Sequence, residues 1–365
     1  MLAITLSLFL AAPFAGGRAD RNLCIDGQWG TLAKVPESVP AAARALIERE
    51  RSFVEKNELK LYTSTKTPVV VISEWNESAA RSRVEDVRLA IEAFREIFPP
   101  AAAPPPVADD EIDNVDPEAP FPIYLLDPGP TYEALVDRLI AEHEYLEGWG
   151  TRAKTLGGFH LYRPRIVAIL PSYFDPKHQV IHDVTHVLAH QRYGRQPFWL
   201  DEGIAWYSED AMLRGIFAFC YRHNFLWDAE KTGWSRDFSN IFRGRGDRPT
   251  IEDLTRMMPG SYTAGESGVK DPRAVLAYGL VAFLVNERRD GFAKVLDAFA
   301  NDAAETGEFE PTYETPSSRQ IEILRAHLGE DLDKALASFA AKIGNSIPKP
   351  KKSAARANPA SASGS

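Results

Sequence analysis

The pattern of apolar and polar positions predicts a sheet in the first half of the chain and helices in the second. Short apolar runs typical of strands occur at residues 59–63, 68–73, 123–126, 159–162 and 166–171. Helical spacing occurs at residues 39–56, 77–98 and 131–143, and then in most segments from residue 178 onward. We therefore predict an α+β fold, in which a small twisted mixed sheet is followed by a mainly helical half.

The N-terminal segment, residues 1–19, carries an apolar run of about fifteen residues, which is too short to span a bilayer. Small residues at Gly17 and Ala19 fit a signal-peptidase site, so we predict a cleaved signal peptide and an exported protein, periplasmic or secreted. No stable membrane span is expected after cleavage. Because no Lys or Arg precedes the run, a cytoplasmic protein that begins with a hydrophobic helix is the alternative.

The rest of the chain divides by composition. Residues 20–38 show no periodicity and residues 39–56 are helical, so 20–57 is predicted to be an N-terminal helical extension. One main domain is expected over residues 58–345, interrupted by a Pro- and acid-rich insertion at 99–122. The basic, low-complexity tail at 346–365 is predicted to be disordered.

Composition narrows the class of partner. With 365 residues, 44% of them hydrophobic, the chain can bury a full core. Its net charge of −9 argues against a nucleic acid as the main partner, because phosphate binders usually carry a basic surface. The two cysteines, Cys24 and Cys220, permit at most one disulfide, which would close a very long loop, so both are predicted to be incidental to function.

One segment carries residues with a recognisable chemistry. His182 and His186 stand four positions apart in a predicted helix, so they lie one turn apart on the same face. This spacing lets two imidazoles bind one zinc ion, with a carboxylate from a later helix as third ligand and water in the open position. Glu202 is placed to be that third ligand.

The sequence after the two histidines makes the pattern specific. Trp199 and Leu200 precede Glu202 and Gly203, and an Ala-x-Tyr ending at Tyr207 follows. This block resembles the gluzincin zinc metallopeptidases, most closely the bacterial peptidase MA-like group, in which HExxH is followed by WLxEG. The resemblance extends loosely over residues 58–340, and only the histidine and glutamate block is specific.

The resemblance implies a zincin-like fold with Zn²⁺ between its two halves, held by His182, His186 and Glu202. It also implies a peptide or protein substrate. Asp183 occupies the position of the general base, which is normally glutamate. Because aspartate is shorter by one methylene, its carboxylate falls short of the position that a glutamate carboxylate reaches by more than about 1 Å. A misplacement of this size can cost on the order of 10²-fold in rate.

Two further roles rest on the resemblance. Gluzincins supply a tyrosine or histidine from the helical half to stabilise the oxyanion, and Tyr278 is the candidate here, with a core tyrosine as the alternative. Tyr207 is the second candidate for that role. The family also aligns an extended peptide along an edge strand, which we place at residues 165–170.

The neighbouring polar residues are expected to have ordinary roles. His178 and His190 continue the stripe at four-residue spacing, but the stripe turns by about 40° per step, so both should diverge from the metal and be polar or hydrogen-bonded core residues. Asp201 fits a helix-start residue. Glu209 fits a surface charge better than a group supporting the metal ligands.

Three functions remain open on the sequence. The first is an exported zinc-dependent peptidase that uses Asp183 as its base. The second is a zinc-binding pseudopeptidase that acts as a peptide-binding or structural module. The third is a domain that kept the fold without the metal, and the WLxEG block disfavours it.

Overall fold

The computed structural model describes residues 21–67, 69–101, 119–155, 158–171, 176–217, 232–245, 248–257, 271–305 and 315–343. Several predictions fall outside these residues. They concern the signal peptide at 1–19, most of the insertion at 99–122, the tail at 346–365, and Cys220.

The α+β prediction is confirmed, with a mixed sheet in the first half of the chain and mainly helices in the second. The strands are β1 Leu23–Ile25, β2 Gln28–Gly30, β3 Lys60–Thr63, β4 Val70–Ser73, β5 Pro122–Leu125, β6 Gly158–Tyr162 and β7 Arg165–Ile169. The helices before the proposed metal ligands are α1 Ala41–Lys56, α2 Glu77–Ile97, α3 Pro130–Glu142 and α4 Glu147–Ala153. The later described helices are α5 Pro176–Tyr193, α6 Phe198–Leu213, α7 Trp234–Phe242, α8 Ile251–Thr255, α9 Pro272–Glu287, α10 Arg289–Glu305, α11 Ser317–Leu328 and α12 Leu332–Ile343.

The seven strands form one sheet in the order β2-β1-β3-β4-β5-β7-β6. The predicted helical extension over 20–57 begins instead with the β1–β2 hairpin, which joins the sheet because β1 pairs in parallel with β3. Asp26 and Gly27 form the turn with φ of 45° and 87°. An Asp-Gly pair with positive φ at both positions is a strong hairpin signal, and it explains this element.

The sheet is covered by helices on both faces. One face packs on α1, α3 and α4, in a core that includes Ile47, Ile72 and Leu135. The opposite face packs on α2 and α5, in a core that includes Val87 and Val184. Helix α5 therefore lies directly against the sheet, and it connects the sheet to the helical half.

The prediction of an edge strand at residues 165–170 is wrong. Strand β7 pairs with β5 in parallel and with β6 in the antiparallel direction, so both of its edges are occupied. The edge strand is β6, because the β6–β7 hairpin folds β6 onto the outer side of β7. The side chains of His160 and Tyr162, two positions apart, share the face of β6 that looks toward α5.

The helical half has one large core, to which α6 and α9 contribute the most completely buried side chains, including Trp199, Trp206 and Leu280. Gly203 lies where α6 crosses α9. A Cβ atom at this position would lie 2.9 Å from Val281 Cγ2 and 3.1 Å from the Ala277 carbonyl oxygen. The glycine that follows Glu202 in the sequence is therefore required by close packing of two helices.

No helix in the described ranges combines the length and the apolarity needed to cross a bilayer.

The close approach at Gly203 predicts a specific loss of stability. Gly203→Ala should lower the free energy of unfolding by about 1–3 kcal/mol, because the methyl group must push α9 away from α6. The measurement is urea denaturation followed by circular dichroism. Gly148→Ala, in α4, is the matched control, since no atom lies within 4 Å of its added Cβ and alanine favours the helix. Equal stability of the Gly203→Ala variant and the wild type would contradict the packing argument.

Candidate metal centre

The candidate site lies between two consecutive helices joined by a short connection. Helix α5 ends at Tyr193 and is followed by Gly194, whose φ of 67° is the left-handed conformation that glycine adopts easily. Pro197 precedes the first residue of α6. Because only four residues separate the helices, α5 and α6 pack side by side, and side chains of α5 face side chains of α6.

Three predicted ligands meet at this contact. The Nε2 atoms of His182 and His186 lie 3.0 Å apart. Glu202 Oε2 lies 3.6 Å from His182 Nε2, and Glu202 Oε1 lies 3.8 Å from His186 Nε2. All three residues are buried, and their ligand atoms lie within 4.8 Å of one another.

The donor set fits a metal ion. Two atoms each about 2.1 Å from one tetrahedral ion are about 3.4 Å apart, and the three observed separations fall on either side of that value. Glu202 Oε2 is buried and has no hydrogen-bond partner within the described part of the chain. A buried carboxylate oxygen without a partner is costly, and a cation would remove that cost. The buried His-His-Glu group can therefore hold a metal ion.

Electrostatics at the site also favour a cation. Burial raises the pKa of Glu202 well above its usual range, and the nearby carboxylates of Asp201, Asp183 and Glu209 raise it further. Burial lowers the pKa of His182 to about 4, against the opposing effect of Asp183. The His182 ring is therefore neutral at physiological pH, as a metal ligand must be.

The prediction that Glu209 is a surface charge is wrong. Its side chain is 0% exposed, because α6 is buried over its first three turns. Glu209 Oε1 lies 2.8 Å from His182 Nδ1, and Oε2 lies 2.9 Å from His178 Nδ1. The amide N–H of Phe217 also donates to Oε2. Glu209 thus holds the His182 ring with its Nε2 atom toward the other two ligands, as carboxylates beside metal-binding histidines commonly do.

Asp201 supports the second histidine. It lies in the first turn of α6, as predicted, but its Oδ2 atom is also 3.0 Å from His186 Nδ1. The Tyr162 hydroxyl donates a hydrogen bond to the same oxygen. Burial acts to raise the pKa of Asp201, but His186 and the Tyr162 hydrogen bond outweigh it and lower that pKa. Each histidine ligand therefore has its own carboxylate at Nδ1.

Asp183 lies at the site, as the sequence predicts, but its carboxylate faces the edge strand. His160 Nδ1, on β6, lies 2.9 Å from Asp183 Oδ1. The His160 ring also stacks on the His186 ring, with centroids 4.5 Å apart and planes 20° apart. His160 was not predicted from the sequence. The local signal for it is the alternation along β6, which places His160 and Tyr162 on the same face of the strand.

The outer histidines of the stripe lie outside the ligand group, as predicted. His178 is a buried residue that contacts Glu209 and stacks on Phe217, with ring centroids 4.1 Å apart. His190 stacks on Tyr162, with centroids 4.4 Å apart and planes 7° apart. Neither belongs to the group of residues that can share one ion.

Tyr278 is buried, and the hydrogen bonds of its hydroxyl go elsewhere. The hydroxyl donates to Asp210 Oδ2 at 2.5 Å and lies 3.1 Å from Ser235 Oγ. Asp210 is eight positions beyond Glu202, about 12 Å of helix rise. The structure thus does not bring this hydroxyl to the three ligands, and the oxyanion role stays a prediction. The alternative, Tyr207, accepts a hydrogen bond from Asn286.

Comparison with known proteins does not assign the chain to a family. No protein-family model matches the chain, and no curated protein matches it significantly in sequence.

The contact with Glu209 predicts a loss of metal affinity when the carboxylate is replaced. Glu209→Gln should weaken binding by about 10–100-fold, because three N–H groups converge on this carboxylate and an amide can accept at only one of its two atoms. Competition with a chromophoric chelator measures the affinity. Asp210→Asn, which alters the adjacent carboxylate on the same helix, is the control and should bind metal like the wild type. Unchanged affinity in Glu209→Gln would show that Glu209 does not position His182.

The environment of Tyr278 predicts a structural effect of its hydroxyl. Tyr278→Phe should lower the free energy of unfolding by about 1–3 kcal/mol, because the buried hydroxyl bonds a carboxylate. Metal content and any turnover should stay within a few-fold of the wild type. A loss of about 10²–10³ in kcat, with stability unchanged, would instead assign the hydroxyl to the oxyanion.

Proposed function

We propose that this protein is a zinc-dependent hydrolase of peptide bonds, of the gluzincin type, with His182, His186 and Glu202 as the zinc ligands. The observation that carries the proposal is the convergence of the three ligand atoms, with one buried Glu202 oxygen that has no partner in the described residues. The apolar run at residues 1–19 is the reason for proposing that it acts outside the cytoplasm.

Zinc is the metal that suits this donor set best. Two imidazole nitrogens and one carboxylate are the ligands of many catalytic zinc sites, whereas calcium and magnesium prefer oxygen donors alone. Three protein ligands leave a fourth position for water or substrate. A zinc ion bound here would supply Lewis acidity and lower the pKa of water.

The residues around the ligands would orient the histidine rings and exchange protons. Glu209 and Asp201 hold the two histidine rings by their Nδ1 atoms. Asp183 and His160 form a hydrogen-bonded pair in contact with His186, where a proton acceptor for the attacking water is needed. Among the described strands, β6 has a neighbour on one side only, and an extended peptide paired with its outer side would be a peptide or protein substrate.

The low exposure of the ligand side chains supports a second function. The side chains of the three ligands are at most 2% exposed, and that of Asp183 is 6% exposed. Structural zinc sites are typically closed, while catalytic sites keep an open position. The protein would then be a zinc-binding pseudopeptidase, in which the metal joins α5 to α6 and peptides are bound without being cleaved.

Metal analysis combined with a peptide library tests both functions. Purified protein reconstituted at neutral pH should hold about one zinc per chain, and His182→Ala should hold much less. His327→Ala, which removes an exposed histidine from α11, is the control. Cleavage of the library by the wild type but not by His182→Ala would support the hydrolase. Stoichiometric zinc without cleavage would support the pseudopeptidase, and absence of bound metal would refute both.

A further inference from the structure

The pair formed by His160 and Asp183 links the edge strand to the metal-binding helix. His160 reaches α5 because it lies on the inner face of β6, and its ring is held from two sides. Nδ1 faces Asp183 Oδ1 at 2.9 Å, and the ring plane lies on His186. These two contacts fix both the direction and the tilt of the imidazole.

The hydrogen bond determines which nitrogen of His160 is available. With the Asp183 carboxylate as the acceptor, Nδ1 is the donor of this hydrogen bond and Nε2 is the remaining ring nitrogen. His160 makes no other hydrogen bond to the described residues. Its side chain is 10% exposed, compared with 6% for Asp183. Nε2 of His160 is therefore the nitrogen of the pair that is left without a hydrogen-bond partner among the described residues.

The short side chain of Asp183 also favours His160 as the group that exchanges the proton. An aspartate is more than about 1 Å shorter than the glutamate that normally occupies this position, and one of its oxygens is already bonded to His160. An imidazole between the carboxylate and the substrate restores the missing reach. A carboxylate that orients a histidine, which in turn exchanges the proton, is a recurrent catalytic arrangement.

We propose that His160 Nε2 is the atom that exchanges protons with the substrate in the peptide hydrolysis proposed above, and that Asp183 positions the His160 ring. Nε2 takes a proton from the attacking water as the bond from the water oxygen to the carbonyl carbon forms. The same proton passes to the amide nitrogen as the carbon–nitrogen bond breaks, giving a carboxylic acid and an amine. Nothing is oxidised or reduced. The proposal rests on the proposed hydrolase function.

Four variants distinguish the role of His160 from the role of Asp183. His160→Gln keeps a hydrogen-bond donor for Asp183 but removes the proton-exchanging nitrogen. Asp183→Asn keeps the ring but replaces the carboxylate by an amide, whose N–H can donate to His160 Nδ1. Asp183→Glu restores the usual glutamate. His327→Gln is the matched control, because His327 is exposed on α11 and far along the chain from the site. Zinc content and a melting curve are measured for each variant, so that only folded, loaded protein is compared.

Two readouts are taken. Turnover of a peptide that the wild type cleaves gives kcat and KM. Nitrogen-15 NMR of the imidazole groups gives the tautomer of His160 and does not depend on activity. We expect His160→Gln to keep zinc and lose about 10²–10⁴ in kcat. Wild-type His160 should carry its hydrogen on Nδ1, and Asp183→Asn should shift that tautomer and lose kcat as well. Asp183→Glu should be slower than the wild type, because the longer side chain displaces the ring.

Other results would overturn the proposal in distinguishable ways. If His160→Gln retains kcat within a few-fold while Asp183→Asn abolishes it, or if Asp183→Glu is faster than the wild type, Asp183 is itself the base and the hydrolase function stands. A His160 hydrogen found on Nε2 would remove the lone pair on which the proposal depends. If zinc-loaded wild type cleaves no peptide, the hydrolase function fails, and the role of His160 fails with it.

Discussion

The contact between α5 and α6 brings four carboxylates together, and one of them has a buried oxygen without a hydrogen-bond partner in the described residues. The architecture of the site follows from this. Asp183, Glu202 and Glu209 are buried and the side chain of Asp201 is 18% exposed, and all four lie near the same pair of imidazoles. Each buried ion costs several kcal/mol unless it is paired. Three of the four have histidine partners, at Nδ1 of His160, His186 and His182. Within the described part of the chain, Glu202 faces the Nε2 atoms of His182 and His186, and its Oε2 atom has no hydrogen-bond partner, so a proton or a cation must complete its environment.

The rest of the fold brings these charges together and keeps them in place. The short connection from Gly194 to Pro197 sets α5 and α6 side by side, and Gly203 lets α9 pack closely behind α6. From the other side, β6 adds His160 and Tyr162, each of which contacts a carboxylate of the site. The site is therefore built from three elements, and a shift of any one of them would separate a histidine from its carboxylate.

The sequence predicts the metal ligands better than the residues that hold them in place. The ligands depend on local helix spacing, whereas the residues around them depend on tertiary packing. The spacing of His182 and His186 is set by one helix, and Glu202 belongs to a local block, so both can be inferred from short segments. The burial of Glu209 depends on helices that pack around α6 from distant parts of the chain. A signal was present, since Trp199, Ile204 and Ala205 lie on different sides of α6 and indicate a helix buried all round. The partner of Asp183 depends on strand order, and that order was predicted wrongly at β6 and β7.

The four histidines of α5 show how one repeat yields different roles. The spacing is constant, but the stripe turns by about 40° per step, so successive rings point in different directions. The inner rings aim Nε2 at each other and at Glu202 because carboxylates occupy their Nδ1 sides. His178 shares Glu209 with His182 and is covered by Phe217, while His190 lies on Tyr162. The Nδ1 atom of His178 also meets a carboxylate, so what distinguishes the two ligands is that their Nε2 atoms lie beside Glu202. The pairing of Nδ1 with a carboxylate recurs at His160 on the neighbouring strand, where it leaves Nε2 as the nitrogen without a hydrogen-bond partner among the described residues.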